Sequence, residues 1–427
     1  MTGEKPREIA IRVMRQRRAS GDYVEKLLER ELDLHPLSPL DRALCQELVY
    51  GMVRWQGTLD WLVARKTGDR SQNISLRALL HLGLYQLFWL QRIPDHAAVH
   101  ETVELAKKLG FGPRAGFLNA VLRGYIRQRG ATKKLLEDLK QTDAAAGYSH
   151  PKWLVERWQA RWGKSQTGQL LEWNNQAPPI YARLNELKTD AARLTARWEQ
   201  EGIGFEERVW DWTGPHLVFE LRRHPPLATL GSFQDGWFYV QDPSTLLAVR
   251  RLDPQPGEAI LDLCAAPGGK TTYIAQLIGN RGRIAARDNQ PERLKMLEEN
   301  GRRLGTTCVD FSAAPGPFDR ILIDAPCSNT GVLRRRVDAR WRVQPAELKR
   351  LSKAQSALLS QAATELKPGG TLVYGTCSLE PEENEEVVRR FLESQPVFKL
   401  ENERQLLPFV EGVDGAYVAM LRSEASS

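Results

Sequence analysis

Residues 258–271 read Glu-Ala-Ile-Leu-Asp-Leu-Cys-Ala-Ala-Pro-Gly-Gly-Lys-Thr. The apolar run Ala259–Leu263 suits a buried parallel strand. It breaks into an Ala/Pro/Gly loop, and helix-forming residues follow from Thr271. A strand, a glycine loop and a helix N-terminus bring backbone N–H groups to a polar ligand. Gly269-Lys270-Thr271 resembles the end of a phosphate-binding P-loop, but the spacing excludes one: the first glycine would fall at position 264, which is Cys264.

The stretch opens a segment, from residue 236 to about 423, in which strand and helix patterns alternate. The expected strands are 259–263, 282–286, 320–323 and 371–374, and the helices 271–277, 291–304 and 345–366. This is the pattern of a mostly parallel sheet with helices on both faces, binding ligands at the strands' carboxyl ends. Four groups fall at such ends: the opening loop, Asp288, the stretch Asp324-Ala325-Pro326-Cys327-Ser328, and Thr376-Cys377-Ser378. Asp310 follows a shorter strand. A carboxylate at position 288 can accept hydrogen bonds from a ribose diol, although Pro291 makes a helix-capping role an alternative. Cys327 and Cys377 end strands that neighbour each other in a doubly wound sheet, so both can face one ligand. A thiolate is a strong nucleophile, and an aspartate on the same loop adds an acid/base or hydrogen-bonding group.

Upstream, residues 1–140 carry helical periodicity only, as in Leu76/Leu79/Leu80/Leu84 and Val99/Val103/Ala106. They form an all-α bundle. Arg12, Arg15, Arg17 and Arg18 crowd its first helix, and Arg114, Arg123, Arg127 and Arg129 its last. Such runs mark either a solvated basic face or an RNA-contacting one. Residues 141–235 are rich in tryptophan (Trp153, Trp158, Trp162, Trp173) and alternate short strands with a helix at 190–201, a small α+β domain. Arg183 and Asn185, at a strand end, are open to an RNA-contacting or a structural role. Residues 236–427 form the third, α/β domain.

Bulk properties agree with this division. A chain of 427 residues exceeds one ordinary core. The net charge of +7 is a modest basic excess of the kind polyanion-binding proteins carry. Five cysteines without a CxxC pair or a Cys/His cluster argue against disulfides and zinc. No run of 18 apolar residues and no secretory signal is present. The expectation is a cytoplasmic monomer with no membrane segment and no metal.

The segment from 236 resembles the RNA cytosine-C5 methyltransferases that use S-adenosylmethionine. The resemblance rests on Asp262–Thr271, on Asp324–Ser328, on Thr376-Cys377-Ser378 and on Pro381-Glu382-Glu383-Asn384-Glu385. It implies a Rossmann-like fold in which Cys264, Ala265, Ala266, Pro267, Gly268, Gly269 and Lys270 hold the methionine part of S-adenosylmethionine. Asp288 takes the ribose, Asp310 lies near the adenine, and Asp324 sits by the methyl donor and target base. It implies Cys377 as the nucleophile and Cys327 as the group assisting product release. The front of the chain is similar to the NusB-like helical domain, through Arg7–Ala10, Leu48–Gly51 and Phe117–Arg123, which implies RNA binding. The whole arrangement resembles family members acting on 16S ribosomal RNA. The same chemistry on tRNA or another rRNA cytosine, and a non-catalytic NusB-like assembly factor, are the alternatives. A DNA-type enzyme would use the Pro326-Cys327 pair instead. Arg334, Arg335, Arg336, Arg340 and Arg342, with Trp341 among them, suit phosphate contacts and base stacking. Two departures from the family stand out: the stretch between Asp310 and Asp324 is short, and Val337 occupies a position usually held by proline.

Overall fold

The computed structural model describes residues 5–68, 73–312 and 315–425. They divide into two compact units, Met1–Gln176 with Arg336–Arg342, and Ala177–Arg335 with Val343–Ser427.

The first unit is helical. The helix Ile74–Trp89 is buried on almost every side from Ser75 to Leu87. A helix apolar all round belongs at the centre of a bundle. At 16 residues it is too short to span a bilayer, and no described helix is long and apolar enough to do so. The helices Pro6–Ser20, Pro39–Arg54, Asp95–Ala106 and Gly112–Arg127 contribute to the same core. Close approach explains one small residue of the Leu48–Gly51 stretch: a Cβ on Gly51 would lie 1.9 Å from the Tyr85 ring.

The second unit holds two sheets. The smaller is antiparallel, with order β2-β3-β1-β4, where β1 is Ile180–Leu184, β2 Gly204–Arg208, β3 Val218–Arg223 and β4 Phe238–Val240. The helix Ala191–Gln200 covers it. Its Trp198 is fully buried, with ring centroids of Phe205, Phe219 and Phe238 at 5.3, 5.5 and 5.3 Å. The insert is thus built on aromatic packing.

In the larger sheet the strands are β5 (Ala259–Leu263), β6 (Arg283–Arg287), β7 (Val309–Asp310), β8 (Phe318–Asp324), β9 (Leu366–Thr376), β10 (Phe398–Leu406) and β11 (Ala416–Ser423). Their order is β10-β11-β9-β8-β5-β6-β7. The five from β9 to β7 are parallel, and β11 and β10 add antiparallel. Ile260, Leu261, Ile284, Ala285, Ile321, Leu322 and Ile323 are fully buried, as in central strands covered on both faces. The chain leaves β5 in one direction through β6 and β7 and in the other through β8 and β9. A crevice at the carboxyl ends follows from that reversal of strand order. β10 escapes a periodicity reading because it is largely polar and exposed and its register shifts between Leu400 and Asn402, whereas β11 is a mostly buried apolar run that the strand reading omits.

Candidate active site

The loop after β5 is shaped by backbone that few residues tolerate. Cys264 has φ 61° and Gly268 has φ 104°. A Cβ on Gly268 would sit 2.8 Å from Leu297 Cγ, so glycine is required twice over. Gly268 precedes the helix Gly269–Leu277. Asn300 Nδ2 donates to the Pro267 carbonyl at 3.1 Å, and the Arg293 guanidinium donates to that of Ala266. The loop is therefore clamped from the helix Pro291–Leu304. Below it, Asp262 is fully buried on β5 and accepts from Thr271 Oγ1 at 2.6 Å.

Asp288 lies just beyond β6 with its side chain almost wholly covered. Its Oδ2 accepts from Ala266 N at 3.3 Å and its Oδ1 from Gln290 N at 3.0 Å. The carboxylate thus joins the strand end to the glycine loop. Asp310 ends the two-residue β7, and its Oδ1 accepts from Ser312 N and Oγ at 2.8 and 2.6 Å. These hydrogen bonds hold its carboxyl below the usual aspartate range. Asp324 ends β8 and accepts from Lys270 Nζ at 2.5 Å. Burial of Lys270 opposes its charge, but Asp324 outweighs burial and its pKa is raised. Lys270 thereby ties the glycine loop to the β8 end by a charge-assisted bond.

The two cysteines meet. β8 and β9 pair in parallel, with Asp324 opposite Gly375. Cys327 Sγ and Cys377 Sγ are 3.2 Å apart, and Cys377 Sγ also lies 3.2 Å from Asn329 Oδ1. Asn329 takes the left-handed conformation at φ 62° and donates from Nδ2 to the Cys327 carbonyl at 2.8 Å. Both thiols are half-buried. The Cys327 pKa is raised well above that of an ordinary thiol, first by its hydrogen bond to Cys377 and then by burial. Burial likewise pushes Cys45 and Cys264 up to about 12 and raises Cys308. A neutral Cys327 S–H beside Cys377 is a donor positioned to stabilise a Cys377 thiolate.

Arg183 and Asn185, open in sequence to an RNA-contacting or a structural role, pack beside the site. Arg183 is 1% exposed and donates to the Gly269 carbonyl at 2.7 Å, to Gln241 Oε1 at 2.6 Å and to Thr272 Oγ1 at 3.1 Å. It lies between the Tyr239 and Tyr273 rings, and burial lowers its pKa to about 10. Asn185 donates to the Gly236 and Leu304 carbonyls, both at 2.8 Å. The structural alternative for these two side chains is the one realised.

The basic run after Cys327 departs from its reading as a phosphate-contacting loop. Arg334 and Arg335 bond Asp414 at 2.5 Å each, and both reach Asp242. Arg340 is fully buried and donates to the Asn174 carbonyl and Asn175 Oδ1, both at 2.8 Å. Arg342 bonds the buried Asp338 at 2.9 Å, and Trp341 Nε1 donates to the Val53 carbonyl at 2.7 Å. Of the five arginines Arg336 is the exposed one. A charge run in sequence does not reveal carboxylates far away along the chain, such as Asp242 and Asp414, although Asp338 lies within the run itself. Val337 is 1% exposed and packs in the core of the helical unit. Among the described residues, no group of three or more His, Cys, Asp or Glu is placed to hold a metal ion.

A sheet of this order, with a glycine loop after β5 and carboxylates after β6 and β8, is that of a Rossmann-like methyltransferase domain. Residues 249–422 match the family model described as 16S rRNA methyltransferase RsmB/F. Residues 4–127 match the NusB family, and residues 150–212 the ferredoxin-like domain of RsmF/B-like methyltransferases. A probable ribosomal RNA small subunit methyltransferase B of Synechocystis sp. is 39% identical, over 92% of this chain and 90% of its own length. The ribosomal RNA small subunit methyltransferase B of Escherichia coli (strain SMS-3-5 / SECEC) is 36% identical, over 95% and 98%. The chain belongs to the ribosomal RNA small subunit methyltransferase B family. Among solved structures, PH0851 is 25% identical over 98% of this chain and 99% of that one, with a TM-score of 0.79. A methyltransferase homolog protein from Pyrococcus horikoshii is 31% identical over 66% of this chain and 98% of that one, at 0.58.

Proposed function

We propose that this chain transfers a methyl group from S-adenosylmethionine to C5 of a cytosine in 16S ribosomal RNA, through a covalent bond between Cys377 and C6 of that base. The observation that carries the reading is the pair of thiols, 3.2 Å apart at the ends of two adjacent parallel strands, beside the Lys270–Asp324 ion pair. The relatives' names support ribosomal RNA as substrate.

The residues fit the cofactor by their chemistry. The loop 264–270 opens at the carboxyl end of β5 ahead of a helix N-terminus and suits the methionine part. Asp288, after β6, suits a ribose diol once its covering is displaced, since its side chain is almost wholly covered and accepts from Ala266 N and Gln290 N, and Asp310 stands on the adenine side. S-adenosylmethionine supplies, when bound, an electrophilic methyl group on a sulfonium.

The chain's own residues perform the remainder. C5 of cytosine is a poor nucleophile. Addition of the Cys377 thiolate at C6 makes C5 enamine-like. Asp324, carrying a proton at this step, donates it in a hydrogen bond to N3 and stabilises the negative charge developing on the ring. After methylation a base takes the C5 proton, its electron pair re-forms the C5–C6 double bond, and the Cys377–C6 bond breaks with its pair returning to the Cys377 sulfur, Cys327 assisting this release. Face attack requires an unstacked base, so the target is flipped out or lies in a single-stranded loop. The helical domain (1–140) and the small α+β domain (141–235) serve to hold the RNA for the catalytic domain (236–427).

The test is methyl transfer to 16S RNA by Cys377→Ala and Cys327→Ala. Cys377→Ala is expected to lose activity by about 10³-fold or more. Cys327→Ala is expected to accumulate a covalent protein–RNA adduct on denaturing gels. Full turnover by Cys377→Ala, or free product from Cys327→Ala at the normal rate, overturns the assignments. Mapping 5-methylcytosine in 16S RNA with and without the gene tests the substrate.

A further inference from the structure

We propose that Glu383 is the positioning residue of the two-cysteine centre: its carboxylate ties the loop after β8 to the loop after β9 and so sets the separation of Cys327 and Cys377. Glu383 is fully buried, in the turn Pro381–Glu383 that follows β9. One carboxylate oxygen, Oε1, accepts from Ser328 N at 2.9 Å and from Gln355 Nε2 at 3.1 Å. The other, Oε2, accepts from Ser328 Oγ and from Ser378 Oγ, each at 2.5 Å. Ser328 directly follows Cys327, and Ser378 directly follows Cys377.

The residues on the other side of each cysteine are held by the same group of side chains. Gln355 donates to the carbonyl of Pro326, which precedes Cys327, at 2.9 Å. Asn384, next to Glu383, accepts from Thr376 Oγ1 at 2.6 Å and donates to the Ser378 carbonyl at 2.9 Å, the residues flanking Cys377. Tyr374 O–H donates to the Glu383 carbonyl at 2.6 Å and fixes the turn to β9. All four chain neighbours of the two cysteines are therefore anchored to Gln355, Glu383 and Asn384.

A buried carboxylate is a costly way to join two loops if only folding is at stake. It has a property that an apolar contact lacks: short, directional, charge-assisted bonds that place both loops to a fraction of an ångström. Reactions between positioned groups need that precision, since a displacement of about 1 Å can cost about 10²-fold in rate.

The catalytic consequence rests on the proposed reading of Cys377 and Cys327; the geometric part does not. The test therefore begins with a measurement that needs no RNA. Diamide, an azo compound, takes two electrons and two protons from a pair of thiols. A Cys327–Cys377 disulfide forms and the azo bond is reduced to a hydrazine. Its rate, followed by peptide mass spectrometry, reports how often the sulfurs meet. Alkylation of Cys377 by iodoacetamide serves as the control for thiol reactivity and exposure.

Two variants are compared with the wild type. Glu383→Gln keeps the shape but sets an NH2 donor against the serine hydroxyls. Ser328→Ala/Ser378→Ala removes two donors and leaves the carboxylate. In both, disulfide formation is expected to slow by about tenfold or more, with Cys377 alkylation changed by less than about twofold. In methyl transfer, kcat is expected to fall by about 10²-fold, with KM for RNA and for S-adenosylmethionine within about twofold. Folded variants that form the disulfide at the wild-type rate overturn the proposal, as does slowing matched by an equal loss of alkylation. If the disulfide slows as expected but Cys327→Ala forms no covalent adduct with RNA and Cys377→Ala still turns over, the Glu383 clamp stands and the nucleophile reading fails.

Discussion

Asp262 shows how the site constrains stability. Its Oδ2 has the Thr271 hydroxyl, while its Oδ1 is buried without a hydrogen-bond partner. Burial pushes its pKa up to about 7; Asp324 adds to the rise, and the Thr271 hydrogen bond and Lys270 oppose it. An unfolded aspartate titrates near about 4. Between those values the folded chain holds a proton that the unfolded chain has lost. The contribution of Asp262 is therefore most favourable below about pH 4 and declines as pH rises through about 7. In Asp262→Asn that ionisation is gone. The stability of the variant relative to wild type is expected to climb from pH 5 to pH 8, toward a limit of about 4 kcal/mol. Calorimetric melts across that range check it, and a constant or falling difference would contradict the buried, protonated aspartate. Asp262 was visible in the sequence as one residue of a motif; its protonation depends on neighbours contributed by β6 and β8.

At the scale of elements, the glycine loop and the helix Pro291–Leu304 act together. Gly268→Ala places a methyl group against Leu297 at a residue whose φ is 104°. The backbone strain alone is of order 1–3 kcal/mol. Relief by moving Leu297 would shift the helix whose Arg293 and Asn300 hold the loop carbonyls. The variant is expected to melt lower and also to bind S-adenosylhomocysteine at least about tenfold more weakly in titration calorimetry. Unchanged affinity would separate the loop from the cofactor site. The core strands were legible because continuous apolar runs mark a sheet covered on both faces. β10 was not, because a polar edge strand is recognised by its partner β11 rather than by its own pattern. The run Arg334–Arg342 misled for a related reason: basic residues are read as solvated or as phosphate-binding, and here Asp242, Asp338 and Asp414 neutralise Arg334, Arg335 and Arg342 while Arg340 is buried against amide oxygens.

At the scale of the whole molecule, the basic excess is unevenly used. In the helical unit, Arg12 pairs with Glu31, Arg17 with Asp338 and Arg129 with Asp95. Arg15, Arg18, Arg114, Arg123 and Arg127 are exposed, and so is Phe117, in the last case at 39%. Arg114, Phe117, Arg123 and Arg127 lie on one helix, Gly112–Arg127, and combine charge for phosphates with a ring for stacking. Arg123→Glu/Arg127→Glu is expected to weaken RNA binding with melting unchanged. It should also flatten the dependence of log K on log salt by about 0.7–0.9 for each phosphate no longer neutralised. Filter binding at several salt concentrations measures both, and an unaltered slope would remove this face from the RNA interface.

By itself the chain's order of residues determined the helical front, the short strands and helix of the small insert, the parallel sheet and the motifs at its strand ends, while the tryptophans Trp153, Trp158, Trp162 and Trp173 belong to the helix Lys152–Asn175 of the first unit. These rest on local periodicity and turn chemistry, which act between near neighbours. Tertiary structure decided the 3.2 Å approach of Cys327 to Cys377, the pairing of the basic run with distant carboxylates, and the place of Arg183 beneath Gly269. It also decided what Glu383 holds. Apart from the Glu383–Ser378 bond, each of these joins groups dozens of residues apart, and only burial in a common core brings them within hydrogen-bonding reach.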